Sequence, residues 1–134
     1  MSNALYGKGR DSILNAGINW ASATIKAVLV DTAGYSVAID TDEFLSAIGA
    51  GYRIATATLG SKSSALGVAD AADATFTSVT GATVEAIVLY KDTGDAATSP
   101  LIAYIDTATG LPLTPNGGDV TITWDNGANK IFKL

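Results

Sequence analysis

Hydrophobic and polar residues alternate along much of this chain with a period of two, the spacing of a strand that buries one face. The alternation is clearest near the end, where Val120, Ile122 and Trp124 interleave with Thr121, Thr123 and Asp125. Asn126-Gly127 then offers the positive φ angles of a tight turn, and Lys130-Ile131-Phe132-Lys133-Leu134 predicts a returning hairpin strand with the end of the chain inside the sheet. Residues 24–31 (TIKAVLVD) and 83–91 (TVEAIVLYK) are instead apolar on both faces, the mark of a central strand or one covered twice. Residues 52–58 and 73–79 read as further strands, and 100–106 (PLIAYID) as the antiparallel mate of 83–91.

Helical signals are few. In residues 40–51, Asp40 can cap and Glu43 sits three positions on, as in a capping box. Phe44, Leu45 and Ile48 would turn inward, and Gly49 or Gly51 would end the helix. Residues 10–15 allow one short turn stopped by Gly17. The segment 60–73 (GSKSSALGVADAAD) is small, polar and aperiodic, and reads as a long loop. Seven or eight short strands with no long helix between them predict a mainly all-β fold. The expected architecture is an antiparallel β-sandwich, with a jelly roll among its possible forms, one short helix and an N-terminal arm. The expected organisation is an arm over 1–17 and a single sandwich domain over 18–134. Within the arm, Leu5-Tyr6 either folds back into the core or docks on a neighbouring subunit.

Composition narrows the chemistry. At 134 residues the chain is one domain's worth, enough to bury roughly 65–70% of its unfolded surface. It has no histidine and no cysteine, which removes the usual general base, the usual metal ligands and every disulfide. Net charge is −5 and the eight basic residues form no stripe, so no nucleic-acid partner is expected. Only 16% of residues are charged against a usual quarter, which points to a surface partly covered by other subunits or to one solvated by Thr and Ser instead. The longest apolar stretches, 27–30 and 86–90, are far short of the ~20 residues of a spanning helix, and the first residues do not form a secretory signal. No membrane association is expected.

Carboxylates are then the remaining catalytic candidates. Asp40, Asp42 and Glu43 are better used at a helix start, where they favour the dipole. Glu85 and Asp106 on adjacent strands could span a sugar as in a glycosidase, yet nothing in the spacing sets their separation. Asp70, Asp73, Asp92 and Asp95 are loop acids that match no calcium-binding loop. Gly7-Lys8-Gly9 lacks the length and ending of a phosphate loop, and Asn116-Gly117-Gly118-Asp119 reads as a turn. Trp124 continues a core face, whereas Trp20 suits an exposed or inter-subunit contact. No catalytic residue, cofactor or metal is expected.

Several segments together resemble small structural proteins of tailed-bacteriophage virions. They are Leu5-Tyr6 with Gly7-Lys8-Gly9-Arg10, the strand 24–31, Glu43-Phe44-Leu45-Ser46 with Arg53-Ile54-Ala55, and the stretch from Tyr90-Lys91-Asp92-Thr93-Gly94 through 101–106 to Trp124-Asp125-Asn126-Gly127 and 130–134. The likeness spans nearly the whole chain and weakens between Gly60 and Gly81. It implies a non-enzymatic virion component assembled in the host bacterial cytoplasm. The expected role is capsid decoration or cementing, with the major capsid protein or other virion proteins as partners and a homodimer or homotrimer as the working unit. A tail, connector or baseplate part is the alternative, and a glycan-binding receptor module a more distant one. Leu5, Tyr6, Arg10 and Trp20, with the 60–73 segment, are the expected partner contacts.

Overall fold

The computed structural model describes residues 4–107, 110–124 and 130–133. The fold is mostly antiparallel β, arranged among the described residues in three sheets with one α-helix. Strands β1 (Ala4–Leu5), β2 (Ile25–Val30), β3 (Arg53–Thr58), β4 (Ser63–Ala65), β5 (Val68–Asp70), β6 (Ala74–Phe76), β7 (Ala86–Lys91), β8 (Leu101–Ile105), β9 (Val120–Ile122) and β10 (Phe132–Lys133) follow in chain order. Helix α1 (Gly7–Leu14) lies between β1 and β2. The main sheet has the order β1-β8-β7-β2-β3, and the smaller ones β10-β5-β4 and β6-β9.

The two-sided apolar pattern of 24–31 and 83–91 has a direct cause: β2 and β7 are inner strands of the main sheet, paired from Ile25↔Lys91 to Val30↔Ala86. One face of the sheet, carrying Ile25, Leu29, Ile87, Leu89 and Ile102, packs with Phe76 of β6, Ile122 of β9 and Trp124. The other face, carrying Val28, Val30, Val88, Leu101 and Tyr104, is covered by Tyr6, Tyr35, Leu45 and Ile48. Each buried aliphatic side chain of this kind is worth roughly 1.5–3 kcal/mol, so both covers are needed to hold the sheet. The expected pairing of 83–91 with 100–106 is present as β7–β8, with a bulge between Leu89 and Tyr90.

Three expectations need correction. Residues 40–51 form no α-helix but two 3₁₀ turns, Leu45–Ala47 and Ala50–Tyr52. Their backbone groups bond to the loop before β8: Leu45 N–H donates to Ser99 O (2.9 Å), Ser46 N–H to Ala96 O (3.0 Å), and Leu101 N–H to Glu43 O (2.9 Å). These cross-chain bonds replace the i→i−4 ladder, so a capping-box pattern alone did not make a helix. Asp42, not Asp40, takes the local backbone bond, accepting from Ala38 N–H at 3.0 Å.

The second correction concerns the C-terminal strands, which do not pair with each other: β9 joins β6 through Ala74↔Ile122, whereas β10 joins β5 through Phe132↔Ala69. Asn126-Gly127, the proposed turn, lies outside the described residues. Third, residues 60–73 are not a loop. Ser63–Ala65 and Val68–Asp70 make a hairpin about Leu66-Gly67, with φ of +54° and +79°, the signature of a two-residue type I′ turn.

Of the two readings of Leu5-Tyr6, the fold takes the one in which the pair folds back onto the sheet. β1 pairs with β8 (Leu5↔Ala103), and Tyr6 is wholly buried. Helix α1 also starts earlier than expected, at Gly7, and lies against β8 so closely that Gly9 is required there. A Cβ on Gly9 would stand 2.5 Å from Leu101 O and 3.1 Å from Ile102 Cα. Gly9→Ala must lift α1 from the sheet, and the expected cost is about 1–3 kcal/mol, read as a lowered midpoint in urea or thermal unfolding.

Candidate functional site

The four residues expected to meet a partner fall in three places. Tyr6 is inside the core. Leu5 and Arg10 line a groove of about 480 Å³ with Tyr104, Lys130, Phe132 and Lys133. Trp20 borders an apolar cleft of about 230 Å³ on the other side of Phe132, a residue the two depressions share.

Tyr6 belongs to a buried polar chain. The Tyr35 hydroxyl donates to Asp42 Oδ2 at 2.7 Å, which uses its one proton, so the Tyr6 hydroxyl donates to the Tyr35 oxygen across 2.8 Å. Burial is the main force raising both phenols above the ordinary tyrosine range, and the hydrogen bond that Tyr35 donates to Asp42 raises the latter further. The chain ties the irregular segment 31–44 to the second face of the main sheet.

Arg10 is exposed, and its Nη1 reaches Leu5 O only at 3.5 Å. In the same groove Lys130 lies 3.9 Å from Asp70. Three of the chain's eight cations therefore share one groove, with one of them engaged by a carboxylate.

The cleft at Trp20 is built from α1, the 15–23 segment and the β4–β5 hairpin. After α1, Gly17 N–H closes on Ser12 O at 2.7 Å, which turns the chain so that Ile18 enters the core and Trp20 faces the hairpin. The Trp20 indole N–H is shared between Ser63 O (3.0 Å) and Asp70 O (3.3 Å), one carbonyl from each hairpin strand. Its ring meets Phe132 of β10 edge to face, centroids 5.2 Å apart at 85°. Lys62 Nζ donates to Ala23 O and holds the hairpin base to the same segment. Ile13, Ile18, Ala69 and Phe132 complete the apolar wall, and among the described residues no charged one lines the cleft. On its rim Leu66 is 96% exposed; at the end of α1, next to Ile13, Leu14 is 81% exposed.

Sequence reasoning singled out Trp20 and the 60–73 segment but missed Leu66 and Phe132 as members of the same face. Leu66-Gly67 carries no strong turn signal, since type I′ turns favour Asn or Asp before Gly. The part played by Phe132 depends on β10 pairing with β5, which local pattern does not reveal.

Of the carboxylate pair considered for sugar chemistry, Glu85 has a structural use. Glu85 Oε1 accepts from Thr32 N–H (3.0 Å) and Thr32 Oγ1 (3.1 Å), a structural use that anchors the turn after β2. Among the loop acids, Asp92 accepts from Gly94 N–H at 3.0 Å and pairs with Lys26 at 3.2 Å, and these two partners hold its carboxyl below the usual range. Asp95 O receives the buried Ser99 hydroxyl at 2.8 Å, which closes the 92–99 loop on itself. Among the described residues there is no group of three or more acids placed to hold a metal ion, and no helix is long and apolar enough to cross a membrane.

Trp20→Phe keeps the edge-to-face contact and removes the shared N–H. The expected result is faster amide exchange in β4 and β5 with that of β2 and β7 unchanged, at a cost of about 1 kcal/mol. The tyrosines set a pH dependence. In the unfolded chain their protons leave near pH 10.0, while Tyr6 and Tyr35 keep theirs in the fold. Stability is therefore intact below that pH and falls as the pH rises above it. Denaturant midpoints measured between pH 8 and 12 should show that alkaline limb, and a shallower one in Tyr35→Phe. Compared with known proteins, the chain matches no family model and no curated protein sequence.

Proposed function

We propose that this chain is a non-enzymatic structural protein of a tailed-bacteriophage virion, acting as a capsid decoration or cement protein. The observation that carries the reading is the apolar cleft at Trp20, whose described lining holds no charged residue, with Leu66 standing in water at its rim. We read this exposed apolar surface as the contact with neighbouring virion subunits. It coincides with the region that sequence reasoning assigned to partner contact, and the resemblance to virion proteins supplies the setting. The smaller β6–β9 sheet packing on one face of the main sheet supports a β-sandwich as the architecture. In the virion, many copies would bind the shell and bridge its subunits, each weak contact reinforced by the high local concentration set by its neighbours.

A glycan-binding module draws less support. Tyr6, Tyr35, Tyr90, Tyr104 and Trp124 are buried, and the Trp20 N–H is already engaged by protein carbonyls. Few rings remain to form a sugar-stacking groove.

Quantitative mass spectrometry of purified particles of the phage that encodes the chain tests the proposal. Hundreds of copies per particle, scaled to the major capsid protein, are expected for decoration. A dozen or fewer would move the protein to the tail, connector or baseplate, and none would overturn a virion role.

A further inference from the structure

The second depression, the groove of about 480 Å³, lies where β1 and β8 approach β10. β10 is an edge strand, paired on one side by β5, and β5 contributes no residue to the groove. Among the described residues the groove therefore opens on the unpaired edge of β10, a row of backbone N–H and C=O groups able to pair with an incoming chain. Its charge is as distinctive as its shape. Arg10, Lys130 and Lys133 line it, and among the described residues no acid does. Lys130 meets Asp70 only at 3.9 Å, and Arg10 reaches Leu5 O only at 3.5 Å. Cations elsewhere are spent within the chain: Lys26 on Asp92 (3.2 Å), Lys62 on Ala23 O and Lys91 on Gly17 O (2.9 Å). On a chain of net −5 the groove is a local reversal of sign.

We infer that this groove receives an acidic, extended segment of a partner protein, which adds to the free edge of β10 while its carboxylates meet Arg10, Lys130 and Lys133. Charge complementarity selects an anionic occupant, because three cations without an acid on the lining repel a basic one. The strand edge selects a peptide among anions. A nucleic acid would use the cations but leave the backbone row unmatched, and its further phosphates would run over a surface of opposing sign. A second copy of this chain is a poor occupant, since Asp42, Asp70 and Asp92 already serve Tyr35, Lys130 and Lys26. Half-buried Leu5, Ile131 and Phe132 give the alternate, apolar side chains of such a segment somewhere to rest. The inference rests on reading the chain as an assembly component and adds the chemistry of one partner. It places that contact apart from the Trp20 cleft, with Phe132 common to both.

Titration of the full chain with a short capped peptide of alternating glutamate and valine tests it, followed by amide chemical shifts. The comparison ligands are the same peptide with glutamine for glutamate, inorganic phosphate and oligothymidylate. The expected result is a Kd of about 0.1–1 mM for the glutamate peptide at about 50 mM salt, weakened about fivefold or more at about 300 mM. Signals of Leu5, Ile131 and Lys133 should shift. Arg10→Gln combined with Lys133→Gln should weaken binding about tenfold, while Lys8→Gln, at an exposed cation outside the groove, should leave it within about twofold. Arg10 and Lys133 are exposed, so thermal unfolding of the double variant should match the parent. No binding of the glutamate peptide, equal binding of the glutamine peptide, or shifts confined to other parts of the fold would each overturn the inference. So would phosphate or oligothymidylate binding as tightly as the peptide. Particle copy number is a separate result: an abundant virion chain that ignores the peptide loses the groove and keeps decoration, and a chain absent from particles that binds it does the reverse.

Discussion

Burial of β2, β7 and β8 on both faces is the constraint on which the rest of this molecule depends. A sheet whose inner strands carry Ile25, Leu29, Ile87 and Leu89 on one side and Val28, Val30 and Val88 on the other cannot leave either side in water. In larger α/β proteins such a sheet is covered by helices. Among the described residues there is one α-helix, of eight residues, so the task falls to small sheets on one face and to an irregular segment with Tyr6 on the other.

The irregular cover brings polar backbone inside, where long-range hydrogen bonds supply partners. Residues 43–46 bond to the 96–101 stretch instead of to one another. The Ser99 hydroxyl, almost fully buried, both donates to Asp95 O and accepts from Thr93 N–H. The Tyr6–Tyr35–Asp42 chain does the same at side-chain level. A half-satisfied version of either network would be worse than none, because an unpaired buried polar group loses its hydration without return.

The legible parts of the fold were those set by period. Two-sided apolar runs identified β2 and β7 as inner strands, and the proximity of 83–91 to 100–106 in sequence favoured the β7–β8 pairing. The illegible parts were set by long-range competition. Asp40 and Glu43 satisfy a local helix rule, yet the N–H groups of Leu45 and Ser46 find partners about fifty residues away. β9 and β10, neighbours in sequence, are drawn to β6 and β5, which no dipeptide signal encodes. The same holds for the Trp20 face: the tryptophan stood out as a polar-tipped aromatic near the first residues, while Leu66 and Phe132 joined it only through hairpin pairing.

The uneven strand lengths give the molecule a graded response to force. β2 is locked between β3 and β7, with six-residue pairing to β7 unbroken in register, so tension along it loads several hydrogen bonds at once. The three-residue ladders of β4–β5 and β6–β9 share load among far fewer bonds. Under stretch the periphery would yield first and dissipate work by opening locally, while the central sheet kept its register and allowed the periphery to close again.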